Sequence, residues 1–251
     1  MNHNQVVRGL QVINHLLLLV GLFFGDLSYL WVSLFFYWIT GVFGINIGLH
    51  RLLSHRSFKT AIWKERIISV IGVLTTVGSP LAWVAIHRQH HRSAETVNDP
   101  HSPYHLGNVR AWFGIWNYIR LDLKLVRDMR SDKFQKFLHK NYLKIILTYC
   151  VILALINPWL VIFAYAIPAC LCLHSTSAII VIAHRHGYRP YPDVKDQSRN
   201  SWIANLITLG EGWHNTHHAK PWEWNNKEKW WEFDLPAFFI KYWFMEKNAA
   251  R

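Results

Sequence analysis

Four stretches of the chain, residues 12–24, 29–49, 145–156 and 159–183, contain no Lys, Arg, Asp or Glu and are apolar almost throughout. Charged residues crowd the segments between and after them. A membrane-crossing helix needs about 20 such residues, a length these stretches reach alone or with their flanks. The pattern predicts spans at about 9–25, 29–49, 143–157 and 159–183. Short turns at Gly25-Asp26 and Asn157-Pro158 pair them into two hairpins. Gly44 and Gly48, four apart, allow close approach of another helix. A further apolar run, 67–81, is short and broken by Gly72, Gly78 and Pro80, so it reads as an in-plane or buried helix. Helices are also expected over 83–92 and 202–209, a turn at 98–101, and a closing amphipathic helix on the membrane over 233–245. The predicted fold is an all-α membrane protein of one domain, 1–251. Its four transmembrane helices carry a helical cap built from 50–142 and 184–251.

Charge gives this layout a direction. Every Lys and Arg except Arg8 falls in 51–144 or 185–251, and the two tight turns carry none. The positive-inside rule then places both termini and the cap in the cytoplasm. The 14 Trp and 10 Tyr, many near the ends of the apolar runs, fit interfacial belts. Residues 1–8 are too polar and too few to be the n-region of a cleaved signal, so the first run reads as a retained anchor. Cys150, Cys170 and Cys172 sit in apolar helices without CxxC spacing and read as small buried residues. The net charge of +12 suits an anionic leaflet, a phosphate-bearing substrate or an acidic carrier; no nucleic-acid reading motif accompanies it. In 110–144, Trp112, Phe113, Ile115, Trp116, Tyr118 and Ile119 alternate with Arg110, Arg120, Lys124, Arg127 and Arg130. That run is either a solvated face or a membrane- or carrier-docking face.

Histidine placement changes the picture most. His214, His217 and His218 fall at i, i+3 and i+4, within a ~100° arc of one helical face. His87, His90 and His91 repeat the spacing, and His50 and His55 form a wider pair. Neutral imidazole is a ligand for iron, zinc and copper. On a continuing α-helix His50 and His55 stand ~140° apart, better placed to serve two neighbouring ions than to chelate one. His184 emerges from the last span at the same level. Nine donors are too many for one ion and enough for two. Two other readings are a zinc-binding transporter and a haem anchor using His15 and His174. For those two rings a satisfied intramembrane pair or a tunnel-lining role is preferred. His3, His101, His105, His139 and His186 read as polar-face residues.

The boxes HRLLSH (50–55), HRQHH (87–91) and HNTHH (214–218), with NDPH (98–101), HGYRPY (186–191) and GEGW (210–213), closely resemble the membrane-bound fatty acid desaturases. The likeness is to the acyl-CoA desaturase-like (delta-9) group and runs from about Gly41 to about Lys220. It implies two iron ions held by His50, His55, His87, His90, His91, His184, His214, His217 and His218. It also implies dioxygen as co-substrate and loss of two hydrogens from adjacent methylenes of a fatty acyl chain. The carrier could be CoA, acyl carrier protein or a lipid. Acid–base side chains cannot break an aliphatic C–H bond, so a metal must activate the oxidant. Asp99 and Glu211 are candidate acceptors behind the ligating rings. Ser177, Ile180 and His174 are tunnel candidates.

Two departures from the family stand out. Ile180 occupies the place of an asparagine that reaches a metal through water, which keeps an alkyne-forming acetylenase or a hydroxylase open as the alternative. Ala85-Ile86 replaces an Arg-Asp pair that helps hold CoA in animal enzymes, which favours acyl-lipid or acyl-carrier-protein substrates. No dinucleotide fingerprint, P-loop or haem-attachment motif is present. Electrons are therefore expected from a separate donor, a ferredoxin or a cytochrome b5-type protein.

Overall fold

The computed structural model describes residues 2–115 and 122–246, whose regular elements are all helices, joined by turns and loops that include two isolated bridges, Tyr188–Asn200 and Asn200–Trp213. Trp116, Tyr118, Ile119 and Arg120, part of the expected basic amphipathic run, lie outside the described residues. Around them the described parts of the segment form short helices, Asn108–Trp112, Leu123–Val126, Arg127–Ser131 and Lys133–Lys140.

Among the described residues three helices are long and apolar enough to cross a membrane: His3–Phe24, Leu27–Ser54 and Val161–Val181. The first starts six residues before the expected boundary because Asn2 and Gln5 cap each other's backbone N–H. The expected span at 143–157 is a 15-residue helix, Tyr142–Ile156. It is bent by 69° from Lys133–Lys140, and the two together reach spanning length. The last long helix ends at Val181, two residues before the expected boundary, and the chain turns through Ile182–His186.

The Leu27–Ser54 helix is the scaffold against which the histidine-bearing segments pack. From Ile39 to Ser54 its backbone is wound with i→i+5 hydrogen bonds, and every residue from Thr40 to Ser54 is buried. The Ile62–Leu74 helix packs along it. A Cβ on Gly48 would stand 2.2 Å from Ile68 Cγ2, and one on Gly44 would stand 2.9 Å from Thr75 Cγ2. The paired glycines thus set the distance between these helices, as their spacing suggested. The expected helix over 67–81 breaks at Thr75. Ser79 accepts from Ala82 N–H and Pro80 occupies the first turn, so a new helix, Pro80–Ser93, begins there. His3 and His139, read as surface residues, instead pin this start: Ser79 N–H donates to His3 Nε2 (3.1 Å) and Ser79 Oγ meets His139 Nδ1 (2.7 Å).

Short helices Trp202–Thr208 and His214–Ala219 are joined by Leu209 (φ 60°) and Gly210 (φ 130°). Gly210 has Pro236 Cδ 2.4 Å from the place of a Cβ, so both space and backbone exclude a side chain there. The closing segment forms Leu235–Phe239, capped by Asp234, running into Ile240–Phe244.

Candidate metal centre

The elements just described deliver nine imidazoles to one buried place in two groups. His50, His55, His87, His91 and His217 form one; His90, His184, His214 and His218 form the other. Within each group one ring nitrogen per residue lies within 4.8 Å of all the others. His91 and His218 stack at 4.4 Å between centroids and join the two groups. Both helical triplets are split: His87 and His91 part from His90, and His217 parts from His214 and His218. The His50–His55 pair overturns an expectation. Five residues on an α-helix would point them apart, yet both rings enter the same group. The cause is the wider winding of this helix: His55 N–H donates to His50 carbonyl (3.2 Å), which brings residue i+5 back over residue i.

Four of the rings are held from behind by carboxylates. Nδ1 lies 2.8 Å from Glu211 in His50, 2.9 Å from Asp99 in His90, 2.9 Å from Glu95 in His184 and 2.6 Å from Asp196 in His218. In His90, His184 and His218, Nδ1–H donates to its carboxylate, which leaves Nε2 aimed into the cluster; His50 makes a close ion-pair contact with Glu211. Asp99 and Glu211 stand where the sequence placed them. Glu95 and Asp196 were missed. Their signal was weak: 15 acidic residues in the chain against nine rings that each call for a partner.

Nε2 atoms then face one another at short range: 3.0 Å for His50–His217, 2.7 Å for His55–His87, 3.1 Å for His91–His217, 3.1 Å for His184–His214 and 3.0 Å for His214–His218. His184 and His218 both direct lone pairs at His214 Nε2, which can supply one proton at most. A shared cation satisfies such an arrangement, and an all-imidazole donor set suits iron, zinc or copper. The spacing fits as well, because metal–nitrogen bonds of ~2.1 Å at right angles put their nitrogens ~3.0 Å apart. Protonation does not compete at neutral pH in the rings that burial holds low. Burial, reinforced by neighbouring rings, holds His87, His91, His214 and His217 well below the ordinary imidazole range. Burial also takes His218 to about 4, outweighing the opposite pull of Asp196. Burial works against ionisation of Asp99, but His90 and His101 outweigh it; for Asp196 the hydrogen bond from His218 does the same.

Glu211 is itself anchored by a residue the sequence reading passed over. Arg51, 1% exposed, donates to Glu211 Oε1 (2.9 Å), to Asp234 (2.9 Å) and to the carbonyls of Trp224 and Gly210. His101, read as a polar-face residue, is buried, and its ring lies tilted against His90 with centroids 4.3 Å apart.

A narrow cavity of about 70 Å³ opens beside the two groups. Ile45, Trp83, Ile86, Ile179 and Ile180 form its apolar wall, and His50, His87, His90, His184 and His214 its polar end. Of the tunnel candidates only Ile180 lines it. Ser177 Oγ is turned away and donates to the carbonyls of Trp112 and Leu173. His174 accepts from Trp112 Nε1 (2.9 Å), and its Nε2 meets His15 Nε2 at 3.1 Å. That direct contact leaves no gap for a haem between the two rings and fits the satisfied-pair reading.

Residues 28–243 match the family model described as fatty acid desaturase. The chain belongs to the fatty acid desaturase family. The desaturase is 34% identical over 215 residues to an sn-1 stearoyl-lipid 9-desaturase of Anabaena variabilis, covering 81% of this chain and 76% of that protein. To an sn-2 palmitoyl-lipid 9-desaturase of Nostoc sp. (strain 36) it is 34% identical over 239 residues, covering 90% and 82%. An acyl-CoA 5-desaturase of Anemone leveillei is 30% identical over 240 residues, covering 90% and 72%. Membership makes the desaturase an oxidoreductase with a fatty acyl substrate, and its long apolar helices make it a membrane protein.

Proposed function

We propose that the desaturase binds two iron ions, one in each histidine group, and introduces a carbon–carbon double bond into the acyl chain of a membrane lipid. The observation that carries this reading is the set of nitrogen lone pairs converging at the polar end of an apolar cavity. The overall balance is –CH2–CH2– plus O2, two electrons and two protons giving –CH=CH– and two waters. When bound, the iron pair supplies the dioxygen chemistry that an unactivated C–H bond requires. The protein's residues do the rest. Asp99, Glu95, Asp196 and Glu211 hold His90, His184, His218 and His50 in one tautomer, with Nε2 presented. Ile45, Ile86, Ile179 and Ile180 orient an acyl chain and keep water from it.

A lipid carrier is supported by Ala85 and Ile86: the first is buried and the second faces the cavity, so neither offers a charged contact to CoA. Relatives named as acyl-lipid desaturases agree with it. Electrons come from an external ferredoxin or cytochrome b5-type donor. In the same reading the bent pair Lys133–Ile156 is the fourth span, the protein crosses the membrane several times, and the metal centre and both termini face the cytoplasm. The residue at 180 favours one alternative, an acetylenase or hydroxylase, because an apolar side chain there leaves the four-ring group one neighbouring donor short. Incubation with donor, oxygen and stearoyl glycerolipid, followed by mass spectrometry, separates these. Loss of two hydrogens is expected; gain of one oxygen would overturn desaturation.

A further inference from the structure

The seven-residue helix Trp202–Thr208 reaches the cavity at Thr208 and is exposed along its opposite side. On its inner side the carbonyls of Ile207 and Thr208 accept from Tyr37 Oη and from Asn46 Nδ2, both on the Leu27–Ser54 helix. Thr208 and Asn46 also line the cavity. On its outer side Trp202, Ile203, Leu206 and Ile207 are 40%, 60%, 61% and 39% exposed, a spacing that makes one continuous apolar face. Leu34 and Phe35, within a turn of Tyr37, are 63% and 49% exposed on a helix long and apolar enough to span. The apolar face therefore continues the lipid-facing side of that span.

We propose that this face contacts bilayer lipid, and that the Trp202–Thr208 helix is the wall through which the acyl chain of a glycerolipid passes sideways into the cavity. The inference rests on the desaturase reading and adds the route and the form of its substrate. A diacyl lipid keeps its headgroup and second chain in the leaflet, so a chain can reach buried metals only through an opening that faces the bilayer. The Tyr37–Ile207 and Asn46–Thr208 hydrogen bonds close that opening, and the left-handed Leu209 and Gly210 mark where the helix ends and the box carrying His214 begins.

Two measurements test it. Nitroxide labels at Ile203→Cys and Leu206→Cys, in liposomes, should collide more with oxygen than with a water-soluble nickel chelate. The reverse order would overturn lipid contact whether or not the enzyme turns over. A Tyr37→Cys/Ile207→Cys pair bridged by a reducible bis-methanethiosulfonate cross-linker, its closure followed by mass, should cut desaturation of liposomal stearoyl glycerolipid at least tenfold, with reduction restoring it and iron content unchanged. Equal turnover by the closed and reduced forms would overturn the portal. Absence of desaturated product from the wild-type enzyme would instead overturn the functional reading.

Discussion

The group of five rings and the group of four are built differently. In the larger, carboxylate backing is seen at His50, and that carboxylate, Glu211, is shared with the buried guanidinium of Arg51. In the smaller, three of four rings, His90, His184 and His218, donate to Asp99, Glu95 and Asp196. Fewer nitrogens are offset by more negative charge one ring away, and a backed imidazole is both better oriented and more basic. The difference teaches that counting histidines alone misjudges a site of this kind. The five-ring group rests on ring number and the buried Arg51 network, and the four-ring group rests on its carboxylates.

The largest expected effect comes from His217→Ala. Its Nε2 faces both His50 and His91, so turnover should be abolished and metal lost from the five-ring group, with helix content by circular dichroism unchanged. A fully active variant would contradict the assignment of His217. Next, Glu95→Ala or Asp196→Ala should lower metal affinity about 10–100-fold at the four-ring group only, read by chelator competition. Glu95→Gln should recover part of the loss because its amide oxygen still accepts from His184. Equal loss from both groups would break the comparison. Arg51→Met should cost about 3–5 kcal/mol of stability by leaving Glu211 and Asp234 uncompensated, measured by thermal unfolding.

A pH dependence of the metal-free protein is expected as well. Burial lowers the folded pKa of His87, His91, His214 and His217, and of His218 to about 4, below the unfolded value near 6.5. The unfolded chain therefore takes up protons first. The contribution to stability is full above about pH 6.5 and lost as pH falls from there toward 4. The melting temperature should decline across that window, before the depressed Asp99 and Asp196 titrate. A flat profile from pH 7 to 5 would contradict neutral buried rings.

The sequence made the boxes, the long helices, His184 and two of the four backing carboxylates legible, because repeated spacing and apolar runs are local signals. What escaped it depends on geometry between distant segments. The shared group of His50 and His55 follows from a helix wound more widely than 3.6 residues per turn, which no local pattern announces. Glu95 reaches His184 across 89 residues, and Asp196 reaches His218 from a loop 22 residues upstream. The role of Arg51 depends on Asp234, 183 residues away. Ser177 and His174 share a helix with the cavity-lining Ile180, but they turn to Trp112.

Iron quantification joined to Mössbauer spectroscopy on protein purified without oxygen tests the two-group account most directly. Two irons per chain in two distinguishable environments are expected, with Glu95→Ala altering one environment alone. One metal per chain, or zinc with no iron, would contradict it.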